Sequence, residues 1–138
     1  MRAKLPPELR DGIRVSSAGI MAGEGMPPTS FSVRVMEKRG VDLRGHRSRR
    51  LTREMVEQAD LILALEDDHR RGVLAMDPSA SGKVQVLSDF AVGPERGDRS
   101  GIHDPVGGSL EIYEETCHRI DDHLNRALPE ILDRMGAK

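Results

Sequence analysis

The sequence predicts an α/β domain with parallel strands. Short β-branched runs alternate with segments of helical period, and one run, Asp60-Leu61-Ile62-Leu63-Ala64-Leu65, is apolar enough to be buried on both faces. A chain of 138 residues fits one domain, so residues 1–138 are read as a single unit.

The elements follow in order. Ile13 to Ser17 is partly β-branched and stopped by Gly19, which predicts a strand ending in a loop. Glycine and proline from Gly23 to Pro28 predict loop. From Thr29 or Ser30 to Arg39, Phe31, Val35 and Met36 sit near helical spacing, and Gly40 supplies a stop. Thr52 is placed to cap a short helix through Gln58, ahead of the apolar strand Asp60 to Leu65. A helix from about Asp68 to Met76 and a weaker strand from Lys83 to Leu87 complete the alternation. Gly93 to His103 reads as a polar loop. Ser109 then caps a long amphipathic helix with Leu110, Tyr113, Cys117, Ile120 and Leu124 on one stripe, kinked or restarted at Pro129.

Composition narrows the partners. A formal net charge of -2 gives no electrostatic reason for tight nucleic-acid binding. No run approaches membrane-spanning length, so the chain is expected to be neither exported nor anchored. With Cys117 as its one cysteine, an intramolecular disulfide and a cysteine-based zinc site are both excluded, and a reducing cytoplasm is the expected setting. His103, His118 and His123 make no metal pattern, so neither metal nor other cofactor is assigned. Aromatic residues are only 2% of the chain, which leaves the core to aliphatic side chains. Nothing in the sequence fixes the oligomeric state.

Three blocks carry a resemblance: Val15-Ser16-Ser17-Ala18-Gly19; Gly45-His46-Arg47-Ser48-Arg49-Arg50-Leu51-Thr52 leading into Ala59-Asp60-Leu61-Ile62-Leu63-Ala64; and Asp104-Pro105-Val106-Gly107-Gly108-Ser109. In order and spacing the chain resembles the low-molecular-weight protein tyrosine phosphatases. The Asp-Pro-x-Gly-Gly-Ser form looks closest to bacterial members, which include protein-arginine phosphatases. The resemblance implies a three-layer fold with strand order 2-1-3-4. It also implies that Met1 to Leu5 align with the end of the family's first helix, so that a strand, a cysteine-bearing phosphate loop and most of a helix are missing, on the order of 20 residues.

The resemblance further implies a phosphorylated protein as substrate, hydrolysed through a phosphocysteine. Asp104 would be the general acid, although an Asp-Pro turn before a helix is an everyday combination without any catalytic role. Ser17 resembles a serine that supports the phosphate loop, against the plainer role of satisfying backbone at a strand end. Val106, and His69 at the end of the buried strand, would line the substrate rim, where Glu66, Asp67 and Asp68 also fall; helix capping accounts equally well for the two aspartates. Cys117 lies on the apolar stripe, and the position six residues on is His123 rather than the family's arginine, so the nucleophile is absent. Arg44, His46, Arg47, Arg49 and Arg50 form a cationic cluster able to meet phosphate or an acidic protein, or simply a solvated loop. The expected function is therefore a phosphatase-like protein inactive by itself, with a non-catalytic phosphoprotein- or subunit-binding module as the alternative. Arsenate reductase on the same fold ranks last, because it needs further redox cysteines.

The missing first strand would sit between Ile13–Ser17 and Asp60–Leu65 and would leave both with unpaired backbone groups. Three responses are open: direct pairing of the two flanking strands, a strand borrowed from another molecule, or a loosely attached N-terminal stretch beside a core built from Asp60 onward. The first or the third is expected of a monomer.

Overall fold

The computed structural model describes residues 12–20, 23–88, 102, 105 and 107–134. Helix α1 (Ser30–Lys38) starts where the Thr29 hydroxyl accepts from the Ser32 N–H, and it ends at Gly40, whose φ of 76° suits a residue without Cβ. Helix α2 (Arg53–Gln58) starts at Thr52, whose hydroxyl accepts from the Met55 N–H at 3.2 Å. Strand β1 (Ile62–Ala64) leads into helix α3 (Asp67–Met76). A 3₁₀ turn (Pro78–Gly82), capped by Asp77, then feeds strand β2 (Val84–Val86). Helix α4 runs from Leu110 to Arg134.

Strands β1 and β2 pair in parallel, Leu63 opposite Gln85, with α3 as the crossover between them. The alternation of β1 divides the core. Ile62 joins Val56, Val73, Ala80 and Val84 on one face, under α2 and α3. Leu61, Leu63 and Leu65 join Leu87, Ile102, Ala127 and Ile131 on the other, under α4. Helix α1 packs chiefly on α4, where the Phe31 and Tyr113 rings meet edge to face at 5.4 Å and Lys38 pairs with Glu114 at 2.8 Å. The stripe foreseen on α4 is present and extends to Ala127 and Ile131.

Four expectations need correction. Ile13 to Ser17 is not a strand: Arg14 to Ala18 are exposed and form no ladder, and the first backbone pairing comes at Gly19, in a single parallel bridge to Arg50. A β-prone sequence becomes a strand only beside another one, and no described strand lies beside it. Of the three responses, direct pairing with β1 is accordingly not seen for Ile13 to Ser17, and Met1 to Asp11 lie outside the described residues. Pro129 does not restart α4, which passes through it unbroken. Pro129 is exposed, where water can meet the carbonyl freed one turn earlier. Finally, Asp67 and Asp68 are not caps: the N-cap of α3 is Glu66, with no side-chain cap bond.

Candidate functional site

Two described segments meet at the C-terminal end of β1: the chain at Ile102 and the start of α3. The Leu65 carbonyl accepts from the Ile102 N–H at 2.7 Å, and Ile102 is almost fully buried against Leu87 and α4. Three residues on, the Pro105 carbonyl accepts from the Gly108 N–H at 2.8 Å, closing a turn in which Gly107 takes a φ of 84°. A Cβ on Gly108 would stand 2.9 Å from the Pro105 carbonyl oxygen, so that position too is closed to a side chain. Ser109 then starts α4, its hydroxyl accepting from the Ile112 N–H. Ile102 is thus tied to the end of β1, and Pro105 to the turn ahead of α4. Asp104 and Val106 themselves lie outside the described residues.

Helix α3 begins at this same end. His69 is half-buried in its first turn, where its N–H reaches the Glu66 carbonyl at 3.1 Å. Asp67 binds Arg70 at 2.7 Å and Arg71 at 2.9 Å, and the Arg70 guanidinium holds its carboxyl below the usual carboxylate range. Asp68 binds Arg71. The two aspartates therefore act as first-turn acids favoured by the helix dipole and neutralised one turn on.

Ser17 is exposed, but the chain just after it is clamped: the Gly19 N–H reaches the Arg49 carbonyl and the Leu51 N–H reaches the Gly19 carbonyl, both at 2.9 Å. Ile20 then lies on α3 over Gly72, where a Cβ would come within 2.5 Å of its Cδ1. Gly72 and His69 share one face of α3 three residues apart, so the structure brings the Ser17 segment to the helix that carries His69 without burying Ser17 itself. Sequence reading missed Gly72. A glycine inside an otherwise good helix is the signal that would have found it, because it weakens the helix unless something packs there.

The loop that carries the cationic cluster is fixed from below. The Gly25 N–H reaches the Ser48 carbonyl, the Ser48 N–H reaches the Met26 carbonyl, and the Ser48 hydroxyl donates to the Gly23 carbonyl. Glu24 accepts from the Arg50 backbone N–H at 2.7 Å. Of the five cations, Arg44 is held by Asp42, whose carboxyl it draws below the ordinary range, and Arg47 binds the Arg44 and His46 carbonyls of its own loop. Arg49 and Arg50 are exposed and form no ion pair among the described residues.

Cys117 is half-buried in the middle of α4, its Sγ 3.3 Å from the Met36 Sδ. It lines an apolar cavity of about 700 Å³ between α1 and α4, with Val35, Leu43, Ile120 and Leu124 among the walls. Among the described residues no cluster of His, Cys, Asp and Glu is arranged to hold a metal ion, and no helix is long and apolar enough to cross a membrane.

Comparison with known proteins places this geometry. The model of the low molecular weight phosphotyrosine protein phosphatases matches residues 1–137. The chain is 30% identical over 131 residues to a probable low molecular weight protein-tyrosine-phosphatase, EpsP of Ralstonia nicotianae, covering 95% of this chain and 82% of that one. It is also 30% identical over 115 residues to a protein-arginine-phosphatase of Geobacillus stearothermophilus, covering 83% and 74%. Among solved structures, the YwlE arginine phosphatase of G. stearothermophilus superposes with a TM-score of 0.79 at 27% identity, covering 88% of this chain and 76% of that one. The tyrosine phosphatase Wzb of Escherichia coli K30 gives 0.78 at 26%, covering 90% and 82%.

Proposed function

Because the chain belongs to the low molecular weight phosphotyrosine protein phosphatase family, we propose that it engages phosphorylated proteins at the C-terminal end of β1, with Asp104 as the general acid, and that residues 1–138 do not complete the reaction alone. In the reaction the family resemblance implies, a thiolate attacks phosphorus, and the P–O bond breaks as the acid protonates the leaving oxygen. Water, deprotonated by the same carboxylate, then breaks the P–S bond and releases phosphate and thiolate. In the sequence Asp104 falls between Ile102, tied to β1, and Pro105, tied to the turn before α4, which supports an acid near that end of the strand.

One observation carries the second half of the proposal: Cys117, the one cysteine of these 138 residues, is seated in mid-helix against Met36. The N–H groups around a mid-helix residue are already bonded to the preceding turn, so none converges on a phosphate there. A thiol in that place packs; it does not cradle an oxyanion. Rapid mixing with an aryl phosphate is expected to give no burst of leaving group, with Cys117→Ala indistinguishable from the parent. Turnover that disappears in Cys117→Ala overturns this reading. Relatives that act on phosphotyrosine and on phosphoarginine are equally similar, and both remain within the proposed substrate class. A cytoplasmic setting is part of the same proposal.

Arg49 and Arg50, exposed and without an ion pair among the described residues, favour a second reading, capture of phosphoprotein without turnover. It predicts salt-sensitive binding of a phosphotyrosine or phosphoarginine peptide that weakens when both arginines are replaced by alanine. Binding indifferent to that change removes the loop from the site.

A further inference from the structure

The end of the cationic loop is held along both of its edges. The Arg49 carbonyl and the Leu51 N–H pair with Gly19, each at 2.9 Å, while the Ser48 N–H and carbonyl pair with Met26 and Gly25 on the other edge, at 2.8 and 2.9 Å. The Arg50 N–H turns to that second edge as well, to the Glu24 carboxylate. Backbone groups that alternate between two edges mark an extended segment, so the side chains of Ser48 and Arg50 share one face and that of Arg49 takes the other. The Ser48 hydroxyl donates to the Gly23 carbonyl and accepts from the Met26 N–H at 3.0 Å. Those two bonds bring the turn that carries Met26 to the face of Ser48 and Arg50.

Met26 is the most exposed large apolar side chain among the described residues, at 59%. A single apolar side chain in water is ordinary. Met26 differs in that its N–H and its carbonyl are both spent on Ser48, so the side chain stands on a fixed base. Arg50 on the same face is exposed and forms no ion pair among the described residues, the Glu24 carboxylate being engaged by its backbone N–H. From Arg44 to Arg53 the chain holds five arginines and no acidic residue, which selects an anionic partner. Resting on the second reading above, capture of phosphoprotein at this loop, we infer that Met26 and Arg50 form one recognition surface: Arg50 takes the phosphate, and Met26 covers an apolar side chain next to the phosphorylated residue. A thioether adapts to varied apolar shapes, a guanidinium meets phosphate through two parallel N–H donors, and both residue types are enriched where polypeptides meet. Arg49, on the opposite face, takes no part. A nucleic acid fits less well, since no aromatic ring stands beside Arg50 for a base to stack on.

The test uses the chain as it stands and short synthetic peptides carrying phosphotyrosine or phosphoarginine, each made with leucine or with serine on both sides of the phosphorylated residue. For at least one of the two phosphoresidues, the leucine peptide is expected to bind about threefold or more tighter than its serine counterpart. Met26→Ala should abolish that preference without changing affinity for the serine peptide, and Met26→Leu should keep it. Arg50→Ala should weaken both peptides about tenfold, and Arg49→Ala should weaken neither. The Met26 methyl resonance, identified by its loss in Met26→Ala, should move on addition of the leucine peptide and stay in place with the serine one. No preference for leucine, a preference that survives Met26→Ala, equal losses in Arg49→Ala and Arg50→Ala, or tighter binding of an oligonucleotide of equal charge would each overturn the inference. If replacing both arginines together changes no affinity, the capture reading itself fails. If that replacement weakens binding while leucine and serine peptides remain equal, only the role of Met26 falls.

Discussion

Gly72 and Asp77 show how single residues set local order. Replacing Gly72 by alanine improves α3 by about 1 kcal/mol of helix propensity. It also pushes on the tip of Ile20, a flexible neighbour 2.5 Å from the new Cβ. The expected outcome is a chain as stable as the parent or up to about 1 kcal/mol more stable, with the Gly19 and Ile20 amides less protected from exchange. A clear loss of stability in urea would mean that Ile20 cannot yield. Asp77 is 6% exposed and accepts from the Ser79 hydroxyl at 2.6 Å and the Ser79 N–H at 3.1 Å, which lowers its pKa below 3.8 in the folded state. A lowered folded pKa stabilises above the unfolded value and is lost as pH falls through the folded one. Urea midpoints of the parent and Asp77→Asn should therefore differ most above pH 4 and converge on acidification; a gap independent of pH would dismiss the charge as its origin.

At the scale of elements, the start of α4 depends on a turn that only glycine makes without strain. Gly107→Ala should cost about 1–2 kcal/mol, because φ of 84° places Cβ against the carbonyl. Gly45→Ala, with open space and no positive φ, should cost far less; equal losses in chemical denaturation would refute the assignment. The elements legible in the sequence were α1 by Thr29 and Gly40, α2 by Thr52, α4 by Ser109 and its stripe, and β1, α3 and β2 by their alternating apolar patterns. Ile13 to Ser17 was misread because a strand is a relation between two segments, and β-branching at Ile13 and Val15 says nothing about the neighbour. His123, buried at 7% exposure with its Nδ1 unpartnered among the described residues, was weighed as a ligand and not as a core residue, since helical period alone does not separate the two. The candidate site rests on its sequence motifs, with Asp104 and Val106 outside the described residues. The anchoring of Ile102 to Leu65 was not legible, because a backbone bond leaves no mark on side-chain identity.

For the whole molecule, two apolar clusters lie on either side of a ladder only three residues long. Supplying a family-type strand and cysteine loop ahead of residue 1 should therefore raise stability together with phosphatase activity. In that extended protein Asp104→Asn should slow leaving-group departure by roughly 10²–10⁴-fold; an unchanged rate would remove Asp104 from the role. The exposed stretch from Arg14 to Ala18 bears on the molecule's survival. A protease needs a segment it can draw out straight into its own cleft, and folded chains seldom offer one. Here an arginine stands at the head of such a segment, with the clamp at Gly19 five residues further on. Among the described residues, trypsin is expected to nick first after Arg14, before the core is touched.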